Sequence, residues 1–558
     1  MGYLSKISKN LFLNIAISLF VLLILLTGCA VKGEEELSIT VETKEHESAV
    51  VTLGGAKSFF VNPEGTTVTW SVNGIPGGNE GTVGTIDADG KYTAPTDADV
   101  APEQVVITAT DTTGTNDSEI AFLTTFRANK RITTHYDSGT KEADTSSAGQ
   151  RGISVNGDNI YIVWADNSIG TKHQAFFAMS KDGGDNFCKP IRISGFDSAN
   201  QFSPTIAVYN DDGNVSVYVV WEDYRDGDGD IYFARFDGTD CNWDTTREWV
   251  TSPFTSPKPV NASRDTGPSS VSRESSPAIA VDSTGGIYVV WEDRFDSSEN
   301  YPDIYFAKSS DQGATFPTNT FLDNSGRRPS IAIGPSDIAY VVWEDIDQFP
   351  NQPTKIKIRK IEMDIPGSEQ ELTVDPGYNA RYPSIAVDPV CNTLDDDICD
   401  VYVVWQRAVI SEPKFEKEIV SSYNIDLAII DGGTFEIITG PLTVPESGSL
   451  GVVANEAYPS VAADDSSIYI VWDDLSGETK NVFFTKSRNG KDFKTNRIVN
   501  DDLGNNSSGV SWHEKPGIAV ADGKAYVIWT DLRDTKLSTS ASPKKEDVYN
   551  DVYFAVEQ

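Results

Sequence analysis

One short apolar motif recurs through most of the chain and limits its fold more than any other feature. The motif is Tyr followed by two β-branched residues and Trp, and its copies end at Trp164, Trp221, Trp291, Trp343, Trp405, Trp472 and Trp529. The seven copies lie 52 to 70 residues apart, a spacing typical of arrays built from one repeated supersecondary unit. Each copy is a β-branched, aromatic run of the kind that forms buried strands.

Further strand-like segments surround each copy. In the second unit, residues 203–208 precede the motif and 230–234 follow it, while residues 190–194 supply a fourth strand in the first unit. Four strands in each of seven units predict a seven-bladed β-propeller over residues 127–558. The last unit ends on its third strand, and residues 129–134 have no partner in the first unit, so we expect 129–134 to complete the last blade.

Turns between the third and fourth strands carry a second motif. Residues 180–187 and 309–316 both read Ser-x-Asp-x-Gly-x-x-Phe, and residues 487–493 are a shortened variant. Ser and Asp can bond turn amides, and Gly allows a positive φ. The motif resembles the Asp-box, or BNR repeat, of sialidase-like propellers. The resemblance implies that fold, with the boxes on the outer rim, and implies no activity by itself.

The N-terminus reads as an export signal. Lys6 and Lys9 precede an almost wholly apolar run that ends in Leu26-Thr-Gly-Cys29, the order found in secretory signal peptides. This ending resembles the bacterial lipoprotein box. The resemblance implies removal of residues 1–28, lipidation of Cys29, a linker over 29–36, and a place in the cell envelope, at the outer membrane or cell surface. An uncleaved transmembrane anchor is the alternative.

Residues 37–126 form short alternating segments broken by Gly, Pro and Asn, which predicts a small β-sandwich with Trp70 in its core. Residues 69–74 and 84–95 resemble bacterial immunoglobulin-like modules of surface proteins, which implies a spacer domain. The predicted fold class is therefore all-β: an Ig-like β-sandwich followed by a seven-bladed β-propeller.

The charge of the chain limits its partners. It has 45 Lys and Arg against 83 Asp and Glu, a formal net charge of −38, so it repels nucleic acid and anionic lipid. We expect membrane contact through the lipid anchor and no nucleic-acid partner. Asp226, Asp228 and Asp230 alternate along one short turn and could bind Ca²⁺. A solvated turn is the alternative, and no other cofactor is expected.

Four cysteines follow Cys29. Cys391 and Cys399 flank a short acidic stretch, and Cys188 and Cys241 fall in comparable outer regions of neighbouring units. Two disulfides are plausible in an oxidising compartment, and free buried thiols are the alternative.

An Asp lies two residues after the motif Trp in six of the seven units. A position that repeats in this way indicates a structural role, because an active site needs asymmetry. Asp223 and Asp531 are themselves followed two residues later by Arg225 and Arg533, and we expect ion pairs between adjacent blades there.

The less repetitive positions lie just before the first strand of each unit. The first strand of such propellers lines the channel, so these residues should ring one mouth of it. The ring comprises Gln150, Arg151, Gln201, Phe202, Arg273, Glu274, Arg327, Arg328, Arg381, Tyr382, Glu456, Tyr458, His513, Glu514 and Lys515. We select as candidate ligand-binding residues Arg151, Arg327, Arg328, Arg381, Tyr382, Glu456, Tyr458 and Glu514. Arginine forks among them could bind a carboxylate through two bonds.

Three functions remain open from the sequence. A non-enzymatic surface module that binds glycan or protein through one propeller face is favoured, and a structural envelope scaffold is a further alternative. The resemblance also allows a sialidase-like exo-glycoside hydrolase. However, Arg151 precedes Gly-Ile-Ser rather than the Ile-Pro of sialidases, and sialidases usually have six blades. No catalytic residue is assigned.

Overall fold

The computed structural model describes eighteen stretches of the chain, and these are all-β, as predicted. Cys29, Arg151, Cys391 and Arg533 lie outside them, so the predictions made for these four residues stay predictions. The described residues contain no helix that is long and apolar enough to span a membrane. The stretches are 37–41, 49–133, 141–145, 152–167, 172–194, 199–238, 240–241, 252–261, 273–294, 301–346, 353–373, 378–390, 399–412, 419–444, 456–474, 480–501, 512–532 and 549–558.

The first part of the chain forms two five-stranded sheets around a shared core. Their strands are β1 (Ser38–Val41), β2 (Ala49–Thr52), β3 (Ala56–Asn62), β4 (Val68–Val72), β5 (Ile75–Pro76), β6 (Gly78–Asn79), β7 (Gly84–Ile86), β8 (Lys91–Thr93), β9 (Gln104–Asp111) and β10 (Asn116–Thr124). The sheet orders are β1-β3-β8-β7-β6 and β2-β10-β9-β4-β5. Alternate residues point inward, so Phe59 of one sheet meets Trp70 and Ile107 of the other.

The remaining strands begin with the first two units of the repeat. They are β11 (Lys130–Arg131), β12 (Lys141–Asp144), β13 (Ile153–Asn156), β14 (Asn159–Asp166), β15 (Gln174–Ser180), β16 (Ile191–Arg192), β17 (Gln201–Asp211), β18 (Asn214–Asp223), β19 (Asp230–Asp237) and β20 (Lys258–Pro259). The third and fourth units contain β21 (Arg273–Val281), β22 (Ile287–Arg294), β23 (Asp303–Ser309), β24 (Asn319–Asp323), β25 (Gly326–Ile333), β26 (Ala339–Asp345), β27 (Lys355–Glu362) and β28 (Ile365–Glu371). The last three contain β29 (Tyr378–Val387), β30 (Asp400–Glu412), β31 (Ile419–Asp431), β32 (Ile437–Thr443), β33 (Glu456–Ala463), β34 (Ile468–Asp474), β35 (Asn481–Ser487), β36 (Arg497–Ile498), β37 (His513–Ala521), β38 (Lys524–Asp531) and β39 (Tyr549–Val556).

Successive sheets form a closed ring. Five of them have four strands in chain order, from β17-β18-β19-β20 to β33-β34-β35-β36. The first strands of successive units are β13, β17, β21, β25, β29, β33 and β37, and we call their units 1 to 7 in this order. Each first strand contacts the next, and β37 also contacts β13. This cyclic arrangement is that of a β-propeller.

The repeated motif forms the second strand of each sheet. Trp221, Trp291, Trp343, Trp472 and Trp529 are fully buried, with 0% exposure. Neighbouring sheets cover both faces of these strands, so each motif is a continuous apolar run rather than an alternating one.

The two ends of the propeller segment meet in one sheet. β11 pairs antiparallel with β39, with Lys130 opposite Phe554, and the Ile132 N–H donates to the Val552 carbonyl over 2.8 Å. Ile132 is buried against Phe554 in a shared core cluster. The outer edge of β39 is therefore covered by a segment that precedes unit 1.

The Ser-x-Asp-x-Gly-x-x-Phe turns pack between neighbouring blades. The Ser180 hydroxyl donates to Asp182 over 2.8 Å and accepts the Gly184 N–H over 3.0 Å. Gly184 has φ +91°, and a Cβ there would lie 2.5 Å from the Phe554 ring. The Phe187 ring meets that same ring edge-on at 5.1 Å, so the turn fixes unit 1 against unit 7.

A buried arginine joins the sandwich to the propeller. Arg497 on β36 is 3% exposed and donates to the carbonyl oxygens of Pro102 at 2.6 Å, Ala101 at 2.8 Å and Ala98 at 2.9 Å. Lys494 forms an exposed ion pair with Asp99 at 2.6 Å. Because the Arg497 guanidinium is buried, its acceptors on the sandwich are part of a fixed interface.

Two of the cysteines are joined across neighbouring units. Cys188 and Cys241 form a disulfide with their Cα atoms 6.0 Å apart. Cys399 is also disulfide-bonded, and its proposed partner Cys391 lies outside the described residues.

Candidate functional site

A bulge recurs where the first strand begins in units 2 to 7. The ladder to the second strand shifts register at this point in β17, β21, β25, β29, β33 and β37. The residue before the strand's proline takes a left-handed φ of 47–55° in each: Ser203, Ser276, Arg328, Tyr382, Tyr458 and Lys515. A non-glycine residue in this region costs on the order of 1 kcal/mol, so the surrounding structure must hold each of these bulges in place.

Side chains of the preceding unit hold these bulges in place. The N–H groups of Arg328, Tyr382 and Lys515 donate to Glu292 at 2.8 Å, Glu344 at 2.6 Å and Asp473 at 2.9 Å. Each acceptor is the residue that directly follows the motif Trp, and each is buried. These bonds place the bulges on one face of the ring, which we call the mouth.

The Asp two residues after the Trp was predicted to form an ion pair between adjacent blades in units 2 and 7, and the structure shows it there as a hydrogen-bond acceptor within its own unit. Asp223 accepts the Trp221 indole N–H at 2.7 Å, and Asp531 accepts that of Trp529 at 2.9 Å. The Arg225 guanidinium lies 2.6 Å from Asp223, so this ion pair lies within one unit. The expected pair between adjacent blades was wrong for Arg225, because Arg225 lies in the turn directly after β18, where its backbone N–H also donates to Asp223 at 2.9 Å.

Two tyrosines from neighbouring bulges form the centre of one cluster at the mouth. The rings of Tyr382 and Tyr458 lie 4.4 Å apart and both are half-buried. The Arg328 guanidinium lies 4.5 Å from the Tyr382 ring, and the Lys480 ammonium 5.2 Å from the Tyr458 ring. We call these four residues the tyrosine cluster; they combine aromatic surface with flanking cations, an arrangement stabilised by the ring quadrupole.

Carboxylates behind the tyrosine cluster neutralise its cations. Arg328 Nη1 donates to both Glu344 oxygens at 2.7 and 3.0 Å. Lys480 lies 3.1 Å from Asp473 and 3.4 Å from Glu514. Complete burial raises the pKa of Asp473 to about 7 against the opposing influence of Lys480. The cluster therefore carries little net charge.

A second cluster lies on the mouth at units 1 to 3. The Phe202 ring lies 5.1 Å from the ring of His173 and 5.9 Å from that of Tyr224. The Arg273 guanidinium is 5.7 Å from the Tyr224 ring and 3.7 Å from the Glu222 carboxylate, and its side chain is 59% exposed. The Tyr224 hydroxyl donates to the same carboxylate. We call Phe202, Tyr224, His173, Arg273 and Glu222 the Phe202 cluster.

The structure corrects two of the candidate ligand residues. Glu456 is fully buried and accepts the Ile425 N–H at 3.0 Å, so it holds units 5 and 6 together instead of facing a ligand. Arg328 was expected to present its fork to a ligand carboxylate, but Glu344 occupies Nη1.

The other candidates that the structure describes keep partly exposed places on the mouth, and Arg151 lies outside the described residues. Tyr382 and Tyr458 belong to the tyrosine cluster, and Glu514 reaches it through Lys480. Arg327 lies 6.0 Å from the Tyr301 ring. Arg381 is half-buried and near enough to Glu344 to lower the pKa of that carboxyl, although burial raises it overall.

The carboxylates proposed for Ca²⁺ are not brought together. Asp226 accepts the Tyr232 hydroxyl at 2.6 Å and Asp230 accepts the Asn261 amide at 2.9 Å. Within the described ranges, no group of three His, Cys, Asp or Glu side chains is arranged to hold a metal ion. The Ca²⁺ site at this turn therefore stays a prediction.

Several mouth residues were missed because they come from other strands. Glu344 and Asp473 follow the motif Trp, and Lys480, Tyr224 and His173 lie beside the ends of second and third strands. The signal was present: the residue after the Trp is Glu, Gln or Asp in five units. Only the pairing register shows that this position faces the bulge of the next unit.

Comparisons with known proteins give likeness of structure alone. No family model matches the chain, and no curated protein matches it significantly. The polysaccharide lyase Uly1 is 11% identical, with a TM-score of 0.42 over 73% of this chain and 90% of that one. A protein of unknown function from Dyadobacter fermentans is 11% identical, with a TM-score of 0.41 over 66% of this chain and 96% of that one. The endosialidase of phage phi92 is 10% identical, with a TM-score of 0.38 over 75% of this chain and 69% of that one. At these values the likenesses assign this chain no activity.

Proposed function

We propose that this chain is a lipid-anchored surface protein whose propeller binds a glycan at the mouth. The observation that carries the proposal is the tyrosine cluster, where two half-buried rings lie 4.4 Å apart beside Arg328 and Lys480. A sugar ring has an apolar face and a rim of hydroxyls. Aromatic surface with a few convergent polar groups is the usual composition of a site for such a ligand.

The proposed architecture is a seven-bladed propeller behind an Ig-like sandwich. The cycle of first strands from β13 to β37 supports the blade number. Two sheets that bury Trp70 between them support the Ig-like assignment. The rigid contact of Arg497 with the sandwich supports a fixed spacer that presents the propeller at a set angle.

A glycan array followed by calorimetry on the purified full-length protein tests binding. We expect at least one glycan to bind. Tyr458→Ala should weaken its affinity about tenfold, because one aromatic contact is lost. Tyr458→Phe should keep most of the affinity. Phe321→Ala is the matched control, because Phe321 is 48% exposed on β24 away from the mouth. Unchanged affinity in Tyr458→Ala, with the melting temperature intact, would exclude the tyrosine cluster as the site.

Glycoside hydrolysis is the second candidate function. Asp473 and Glu514 approach the same Lys480 ammonium at 3.1 and 3.4 Å, and burial raises the pKa of Asp473 to about 7. Glycosidases use carboxyl groups in different environments; here only the partly exposed Glu514 could reach a substrate, and the fully buried Asp473 would act on it through Lys480. Turnover of fluorogenic glycosides that Glu514→Gln abolishes would favour this function, and binding without turnover would favour the first.

The proposed anchor has its own test. Cys29→Ser should release the protein from membranes or stall its processing, because the lipid acceptor is lost. Membrane fractionation with immunoblotting measures this, and a variant that stays membrane-bound at the mature protein's mobility would contradict lipidation.

A further inference from the structure

We infer that the mouth binds a linear, largely uncharged glycan several sugars long, which lies across the channel and contacts both aromatic clusters. This inference rests on the proposed function and adds the length, charge and path of the ligand. It depends on three observations: the opposite placement of the clusters, their shared composition, and their charge balance.

The two clusters lie on opposite sides of the ring. The Phe202 cluster belongs to units 1 to 3, and the tyrosine cluster to units 4 to 6, with its ring pair on β29 and β33. Unit 7 closes the ring between β33 and β13. Sheets pack about 10 Å apart, so a ring of seven measures roughly 20 Å across at mid-sheet and less at the first strands, which carry Phe202, Tyr382 and Tyr458. One or two sugars cannot bridge the clusters at such a separation.

Both clusters offer the same groups to a ligand. Each has half-buried aromatic rings that are part exposed at the mouth, and each has an arginine within 6 Å of a tyrosine ring. Tyr224 lies beside Glu222 in one, and Tyr458 lies near Lys480 and Glu514 in the other. A repeating ligand with a ring face and hydroxyls in every residue matches two such places at once.

The charge balance within the two clusters disfavours a strongly anionic chain as the preferred ligand, although Arg327 and Arg381 add positive charge elsewhere on the mouth. Arg273 is paired with Glu222, Arg328 with Glu344, and Lys480 with Asp473 and Glu514. Outside these pairs the protein is strongly acidic, with a net charge of −38. Such a mouth gains little from a polyanion, whereas uncharged sugars need only stacking and hydrogen bonds.

Calorimetry on the full-length protein tests the inference with defined probes. The probes are xylohexaose, mannohexaose and laminarihexaose, the three matching disaccharides, and polygalacturonate. We expect at least one hexasaccharide to bind at least about thirtyfold more tightly than its disaccharide, since only the longer chain reaches both clusters. Phe202→Ala and Tyr458→Ala should each weaken it about tenfold and the double variant about a hundredfold, because distant sites add.

Controls keep a loss of affinity distinct from a loss of fold. Phe202→Tyr should retain hexasaccharide affinity, Phe321→Ala should leave it unchanged, and each variant's melting temperature is measured. If Tyr458→Ala weakens binding while Phe202→Ala does not, the crossing path is wrong although the proposed function stands. If polygalacturonate binds more tightly than every uncharged hexasaccharide, the charge class is wrong. If no glycan binds in the array or in calorimetry, the proposed function fails as well.

Discussion

At the scale of single residues, the repeated Asp accepts the indole N–H of the repeated Trp in units 1, 2 and 7. In unit 1, Trp164 donates to Asp166 at 3.2 Å. The Trp343 indole of unit 4 donates instead to Asp323 at 2.9 Å, while Asp345 lies 3.4 Å from Lys357. The Trp291 and Trp472 indole N–H groups have no acceptor within the described part of the chain. The repetition alone predicted a structural role for this Asp. Its hydrogen-bond partner could not be predicted without knowing which side of the strand each residue faces.

Removing this acceptor should destabilise the protein. Asp223 is fully buried and also accepts the Gln201 amide at 3.0 Å. Asp223→Ala would leave an indole, an amide and a guanidinium without their acceptor, and we expect a loss of about 3 kcal/mol in the free energy of unfolding. Urea denaturation measures it. Asp228→Ala on the following turn is the control, expected within about 0.5 kcal/mol of wild type.

The pKa of Asp473 predicts how stability changes with pH. The folded pKa is about 7, against about 4 for an unfolded aspartate. Between these values the folded protein holds a proton that the unfolded chain has lost, so stability is greatest at the acid end and falls as pH rises towards 7. The drop in melting temperature from pH 5 to pH 8 should shrink in Asp473→Asn and persist in the exposed Asp212→Asn. An equal drop in all three proteins would contradict the raised pKa.

At the scale of elements, the all-β class and the repeated four-stranded sheets follow from the spacing of one motif. The strand-like segments and the turn residues between them were enough to predict this class and these sheets, because each unit repeats the same local pattern. The bulges at the mouth were not predicted. A left-handed residue before proline has no distinctive residue type: serine, arginine, tyrosine and lysine all occupy it.

The short strand β11 should matter more than its length suggests. Ile132, next to β11, is 4% exposed and packs against Phe554 of the last sheet. Ile132→Ala should cost about 2–4 kcal/mol of unfolding free energy. Ile438→Ala on β32, where the side chain is 53% exposed, should change it by less than about 0.5 kcal/mol. Equal denaturation midpoints for the two variants would show that the last sheet does not depend on this segment.

At the scale of the whole molecule, the sandwich and the propeller share a buried polar contact. The Thr124 hydroxyl donates to the Ile498 carbonyl at 2.5 Å, and Phe126 packs against Phe484 with ring centroids 5.1 Å apart. The sequence indicated a spacer domain that ends at residue 126, where the propeller begins. It could not show Arg497 as an interface residue, because its acceptors are backbone carbonyls about 400 residues away in the chain.

The Arg497 contact predicts that the two parts unfold together. Arg497→Lys keeps the charge but cannot reach several carbonyls at once, so the single calorimetric transition expected of wild type should separate into two. Lys494→Ala removes only the exposed pair with Asp99 and should leave one transition. One transition at the wild-type temperature in Arg497→Lys would show that the other contacts suffice.

The bulges at the mouth have a consequence for how such a protein can diverge. The preceding unit holds Arg328, Tyr382 and Lys515 through their backbone N–H groups, so this clamp does not use the side chains at these positions, although Arg328 also neutralises the buried Glu344. A point substitution there alters the surface that meets the ligand and leaves the clamp intact. A propeller whose units arose by duplication thus has, in these units, a position at the mouth that can change separately from the others. Lineages can then acquire new ligands one blade at a time without passing through unstable ancestors.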